Sequence, residues 1–146
     1  MNQLKSVIYS ILIITTMVFT ARAQQHQMAT QQLMIDGKGG IYSHDGTKLG
    51  YIDRDNVARN NAGNRVYAID KNGNVVDAQG KNLGKAGKNG VYYSVAGETI
   101  LSVKDLDADK CAILDPKGHS YGTVHKNYKQ HACAVHCFFL EKKAKK

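Results

Sequence analysis

The chain has 146 residues, 42% of them hydrophobic and 22% charged, and carries a formal net charge of +8. Its first 23 residues read as a cleavable leader; removing them leaves 123, enough for one domain of roughly 100 residues with a small core, and lowers the charge to +6 because Lys5 and Arg22 go with it. Four of the remaining positive charges are Lys142, Lys143, Lys145 and Lys146, so the body is close to neutral and a broad nucleic-acid-binding face is excluded.

The leader has a positive start at Lys5, a mostly apolar run from Val7 to Phe19 and an A-x-A cleavage pattern at Ala21-Arg22-Ala23, the parts of a secretory signal. The apolar run is broken by Thr15 and Thr16 and is shorter than the about 20 residues that span a bilayer, which argues against a transmembrane helix. A secreted or periplasmic protein is the expectation. Residues 24–32 are rich in Gln with little apolar content, the composition of a disordered lead-in. A single β-repeat domain is expected over 33–140 and a basic tail over 141–146.

From Leu33 onward, short apolar runs alternate with glycine turns. Leu33-Met34-Ile35 and Ile41-Tyr42 flank Asp36-Gly37, a strong hairpin signal because Gly tolerates the positive φ of tight turns. Ile41-Tyr42 returns as Val66-Tyr67 and Val91-Tyr92, each 25 residues on, and a fixed period marks stacked supersecondary units, none of which buries its apolar face alone. The returns are Leu49 to Ile52, Val75-Val76 and Thr99 to Val103; a fourth unit runs from Cys111 to Leu114, turns at Asp115-Pro116-Lys117-Gly118 and returns over Tyr121 to Val124. Pro after Asp suits a turn's second position, where its fixed φ is already correct.

The last apolar run, 132–140, has apolar residues on both faces of a strand, and as a helix would place Cys133 and Cys137 on one face. A strand is favoured over a helix, because Val, Phe and Cys suit a buried strand and a ring of hairpins needs closing. The fold class is therefore all-β: about five glycine-turn hairpins around a central pseudo-symmetry axis, closed by a C-terminal strand. The hairpins I-Y-S-H-D-G-T-K-L-G-Y-I and V-Y-A-I-D-K-N-G-N-V-V, with an A-V-H-C-F-F-L ending behind a leader, resemble the secreted bacterial five-fold beta-flower proteins. The resemblance spans most of 33–140; it implies a fold and, since that family carries no assigned activity, transfers no functional residue.

Three groups of residues could carry chemistry. Tyr42, Tyr67 and Tyr92 recur and could line a ring for stacking a sugar or an aromatic ligand, although core packing with hydroxyls reaching the rim is the favoured reading. Asp105, Asp107 and Asp109 alternate but fail the EF-hand pattern, with Lys110 in place of Gly and Pro116 in place of Glu, and read as a solvated loop. His119, His125, His131, Cys133, His136 and Cys137 lack common zinc spacings, and no motif supplies a base, an orienting group and an oxyanion hole for a Cys nucleophile.

No catalytic, cofactor-binding or metal-binding residue is assigned. On the strand reading Cys133 and Cys137 lie roughly 13 Å apart, beyond bridging reach. A Cys111–Cys137 disulfide is then the expected staple, against three reduced, buried cysteines. The function expected is an exported, non-enzymatic module, binding or structural at the cell envelope, with a ligand or envelope protein as partner. The alternative is a small Cys/His-dependent hydrolase or a redox or metal-binding protein.

Overall fold

The computed structural model describes residues 32–140; the leader, residues 24–31 of the lead-in and the basic tail lie outside them. Eleven strands follow in order: β1 (Leu33–Ile35), β2 (Gly40–Ser43), β3 (Lys48–Ile52), β4 (Val57–Asn60), β5 (Arg65–Ile69), β6 (Asn74–Asp77), β7 (Asn82–Ala86), β8 (Tyr92–Tyr93), β9 (Thr99–Asp105), β10 (Lys110–Leu114) and β11 (Ser120–His125). Each pairs antiparallel with the next, and the sheet closes into a barrel through a parallel pairing of β1 with β11, Leu33 opposite Gly122 and Ile35 opposite Val124. An odd strand number makes that parallel seam unavoidable. The all-β ring of hairpins expected from the sequence is this barrel.

One turn design is used for nine of the ten connections. The first residue's N–H donates to the fifth residue's carbonyl and the fourth residue's N–H donates back to the first carbonyl, as at Asp70, where Asp70 N meets Asn74 O at 3.0 Å and Gly73 N meets Asp70 O at 3.0 Å. This is a type I turn closed by a residue at positive φ, and glycine holds that place at φ 84° in Gly46 and Gly73 alike. In six turns the first side chain is Asp or Asn, whose Oδ1 accepts the N–H groups of the third and fifth residues; Asp36, Asp53 and Asp115 are examples. In those six turns local side-chain bonding specifies the reversal without help from the core.

The turn starts fix the true repeat. Asp36, Asp53, Asp70 and Gly87 on one rim, and Ser43, Asn60, Asp77 and Ser94 on the other, each recur every 17 residues. The 25-residue recurrence is therefore not the structural period: Ile41 and Tyr92 occupy equivalent places, but Tyr67 falls elsewhere in its unit. The 17-residue spacing carries the inward rows, with Ile35, Ile52, Ile69 and Ala86 in one and Ile41, Ala58, Val75 and Tyr92 in another, all buried. The fifth unit departs from it. Asp115 follows Ser94 by 21 residues, and the β9–β10 connection is a longer loop in which Leu106 N and Asp107 N both donate to Lys110 O.

Residues 132–140 are not a strand, and the strand that closes the barrel is β11. The chain leaves β11 as a 3-10 helix (Lys126–Cys133), passes through Ala134-Val135, and ends in a π-helical segment (His136–Leu140). Ala132, Cys133, Ala134, Val135, Cys137 and Phe138 are buried in one cluster with the inward rows of the wall. Eight strands enclose a space that side chains just fill, so eleven leave a lumen that needs an added filler. A lone strand there would have unpaired N–H and C=O groups, whereas a helical segment satisfies its own. The two-faced apolar pattern is that of a segment surrounded on all sides.

No disulfide joins the cysteines. Cys111 is buried on β10 with its Sγ 3.2 Å from Asp105 Oδ1, while Cys133 and Cys137 sit one helical turn apart in the helical segment 126–140, the plug of the lumen. The expected Cys111–Cys137 staple is thus absent, because its geometric premise, a terminal strand, does not hold. No helix among the described residues is long and apolar enough to cross a membrane.

Candidate functional site

The sequence-level candidates separate into a locked interior and a decorated exterior. Tyr67 and Tyr92 are fully buried and Tyr42 is half-exposed on β2, so the three do not form a ring. Tyr92 Oη donates to Leu83 O at 2.6 Å. Tyr67 Oη donates to Nδ1 of His131 at 2.8 Å, and Nε2 of His131 lies 3.3 Å from Asn56 Oδ1, to which it donates. Both ring nitrogens of His131 are therefore engaged in the neutral form. Burial pushes its pKa down to about 4, with the charge of Asp53 pulling weakly the other way.

Asn56 explains itself through this bond. It holds the fourth turn position at φ 60°, where the equivalent turns use Gly39, Gly73 and Gly90. Asn tolerates the left-handed region better than other residues with a side chain, and here its amide reaches the plug. Gln130 adds a second tie, its Nε2 donating to Ala86 O at 3.0 Å. Around these, Phe138 packs edge-on to Tyr67 with ring centroids 6.5 Å apart, and the His136 ring lies 5.4 Å from that of Tyr92.

The histidines and cysteines do not converge. His119 pairs with Asp115 on the rim opposite His125, which caps the 3-10 helix by accepting from Asn127 N at 3.2 Å. Among the described residues no group of three His, Cys, Asp or Glu side chains could hold a metal ion. Burial and the neighbouring Asp105 carboxylate push the Cys111 thiol up, away from the thiolate a nucleophile needs.

Asp107 and Asp109 lie in the solvated β9–β10 loop and Asp105 ends β9, and two of the three have a mechanical task. Asp105 pairs with Lys129 at 2.9 Å and Asp109 with Lys126 at 3.3 Å, clasping the start of the plug, while Asp107 Oδ1 accepts the N–H groups of Asp109 and Lys110. Those backbone bonds hold the Asp107 carboxyl below its ordinary pKa.

Among the described residues the outer wall carries several concavities, a small one of about 210 Å³ beside Leu33, Ser43 and Gly122 and two larger ones. One, of about 550 Å³, lies along the parallel seam beneath the long loop of the fifth unit and is lined by Met34, Asp36, Asp107, Asp109, Thr123 and His125, among others. The other, of about 390 Å³, lies over β6, β7 and β8 and includes Asn74, Asn82, Lys85, Tyr93, Ser94 and Val95. Both fall in the range of small-ligand sites. The sequence singles out Asp107, Asp109 and His125 but does not unite them with Met34 and Thr123, and it gives no sign of Asn74, Lys85 and Tyr93 as a group, because these residues meet only through strand register.

A family model described as "5-fold beta-flower protein" matches residues 23–141. No curated protein and no solved structure matches the chain.

Proposed function

The chain belongs to the 5-fold beta-flower protein family, and from that premise we propose that it is an exported, non-enzymatic binding module whose ligands meet the outer wall of the barrel. The observation that carries this reading is the filled lumen. In closed barrels the interior is the usual ligand chamber; here the plug occupies it, and its fully buried residues include Val135 and Ala134. The same plug takes the reactive groups out of play: His131 is held between Tyr67 and Asn56, and Cys133 and Cys137 are buried. Among the described residues, the accessible side chains that could meet a ligand then lie on the rims and in the wall concavities. Export rests on the leader, with Lys5, the run from Val7 to Phe19 and Ala21-Arg22-Ala23.

A paired measurement on the mature chain, residues 24–146, tests this. A thermal-shift panel of glycans, organic ions and metals is expected to contain a ligand class that raises the melting temperature, as binding to the native state requires. A thiol-reactive probe is expected to label the protein only on unfolding. Fast labelling of the native protein would reveal an activated thiol and favour the Cys/His enzyme; a flat panel would remove the binding role.

A further inference from the structure

We propose that the concavity over β6, β7 and β8 is a subsite for an acidic saccharide, in which Tyr93 supplies the stacking face, Lys85 the counter-charge, and Asn74 and Asn82 the hydroxyl contacts. The inference rests on the reading of the outer wall as the ligand surface and adds a place and a ligand chemistry to it.

Strand register builds the site. Asn74 stands opposite Lys85, and Lys85 opposite Tyr93, so the three form one row across β6, β7 and β8. Alternation along a strand puts such a row on one face, and the neighbours Val75, Ala86 and Tyr92 are the inward, buried ones. Asn74, Lys85 and Tyr93 therefore face outward, and all three line the concavity. The equivalent rows of the preceding units are Val57, Ala68 and Val76, and before them Gly40, Tyr51 and Arg59. Neither combines an amide, an ammonium and an aromatic ring, so the 17-residue repeat itself does not demand the combination.

The amides are oriented by their other bonds. Asn74 Nδ2 donates to Asp70 Oδ2 at 3.1 Å, which leaves the Asn74 carbonyl oxygen as an acceptor; Asn82 Oδ1 accepts from Gly84 N at 2.9 Å, which leaves the Asn82 NH₂ as a donor. One fixed acceptor and one fixed donor suit vicinal hydroxyls, each of which can donate and accept. Tyr93 is half-exposed and offers an amphipathic ring, and Val95 is 70% exposed beside it, so apolar C–H faces have a platform.

Charge decides between a neutral and an acidic sugar. Lys85 is exposed, makes no ion pair among the described residues, and no carboxylate lines the concavity. A ligand carboxylate would meet that ammonium without competition, and charge-assisted bonds are the stronger ones.

The test titrates the mature protein with an oligogalacturonate and with a neutral galacto-oligosaccharide, read by calorimetry and by amide chemical shifts. Wild type is expected to bind the acidic sugar more tightly, with shifts clustered at residues 74, 82, 85 and 93–95. Lys85→Gln, an exposed and structurally mild change, should weaken the acidic sugar by about tenfold and leave the neutral one unchanged. Tyr93→Ala should weaken both, and Tyr51→Ala, in the equivalent row two units back, should weaken neither; melting curves confirm that each variant folds. Equal binding of both sugars, unmoved by Lys85→Gln, overturns the acidic assignment. If neither sugar binds while another class in the panel raises the melting temperature, the saccharide subsite is wrong and the binding module stands.

Discussion

The wall and the plug of this barrel are held by different kinds of interaction. The wall is a sequence of reversals, nine of ten built on one five-residue turn with a residue at positive φ in fourth place, and most of them opened by an Asx or Ser side chain. Its strands are short, two to seven residues long. The plug has no comparable local specification. Its helix contains a non-helical residue, Tyr128, at φ −120° and ψ 21°, and its segments fall short of the length at which helices persist alone. It holds its conformation because Tyr67, Tyr92, Asn56 and Ala86 surround and bond it. Damage to a turn should therefore be absorbed locally, while damage to the plug removes what all the hairpins share.

The largest expected effect follows directly. Val135→Asp places an unpaired charge at a fully buried position and should destabilise by about 4 kcal/mol or more, abolishing the cooperative thermal transition. Tyr67→Phe keeps the ring and removes the donor to His131 Nδ1; leaving that buried nitrogen unsatisfied should cost about 1–3 kcal/mol in urea denaturation.

The same contact sets a pH dependence. His131 is neutral when folded, with a pKa of about 4 against an ordinary 6.5, so its contribution is fully present above pH 6.5 and is lost progressively as pH falls toward about 4. Stability measured across that window should slope downward in wild type and flatten in His131→Gln.

Turn substitutions come next and rank themselves. A Cβ on Gly73 would lie 2.8 Å from Ala86 O, whereas one on Gly46 meets nothing within 4 Å, although both residues sit at φ 84°. Gly46→Ala should therefore cost about 1 kcal/mol from backbone strain alone, and Gly73→Ala more. Equal costs at the two sites would show that φ, not crowding, governs both. The smallest effect is expected at the clasp: Asp109→Asn removes an exposed pair with Lys126 and should leave the melting temperature unchanged, since exposed ion pairs contribute little.

What was legible in the sequence divides along the same line. The reversal at Asp115-Pro116-Lys117-Gly118 and the return at Tyr121 to Val124 could be read because the residues responsible adjoin one another; the latter is β11. The period could not. Ile41-Tyr42, Val66-Tyr67 and Val91-Tyr92 are conspicuous but inequivalent, while the true markers are blurred by Gly87 and Ser94 standing where other turns have Asp, and by Asn56 standing for Gly. The plug was missed as a helix because its conformation is imposed by a lumen that strands up to a hundred residues away enclose. Asn74, Lys85 and Tyr93 are likewise distant in sequence and meet only once β6, β7 and β8 are in register.

The plug's place in the chain also sets a timetable. Ribosomes deliver residues in order, so nearly the whole wall, through His125, is made before Val135 and Phe138 exist to occupy its centre. The closing pair itself waits for Gly122 to Val124 to meet Leu33 to Ile35, and from then until Val135 and Phe138 arrive the hairpins have a partly hollow interior. Local reversals can flicker in the growing chain, but the cooperative core waits for the segment that follows β11. Such a chain stays pliable while that segment is missing and becomes compact only once the apolar run after β11 has been added.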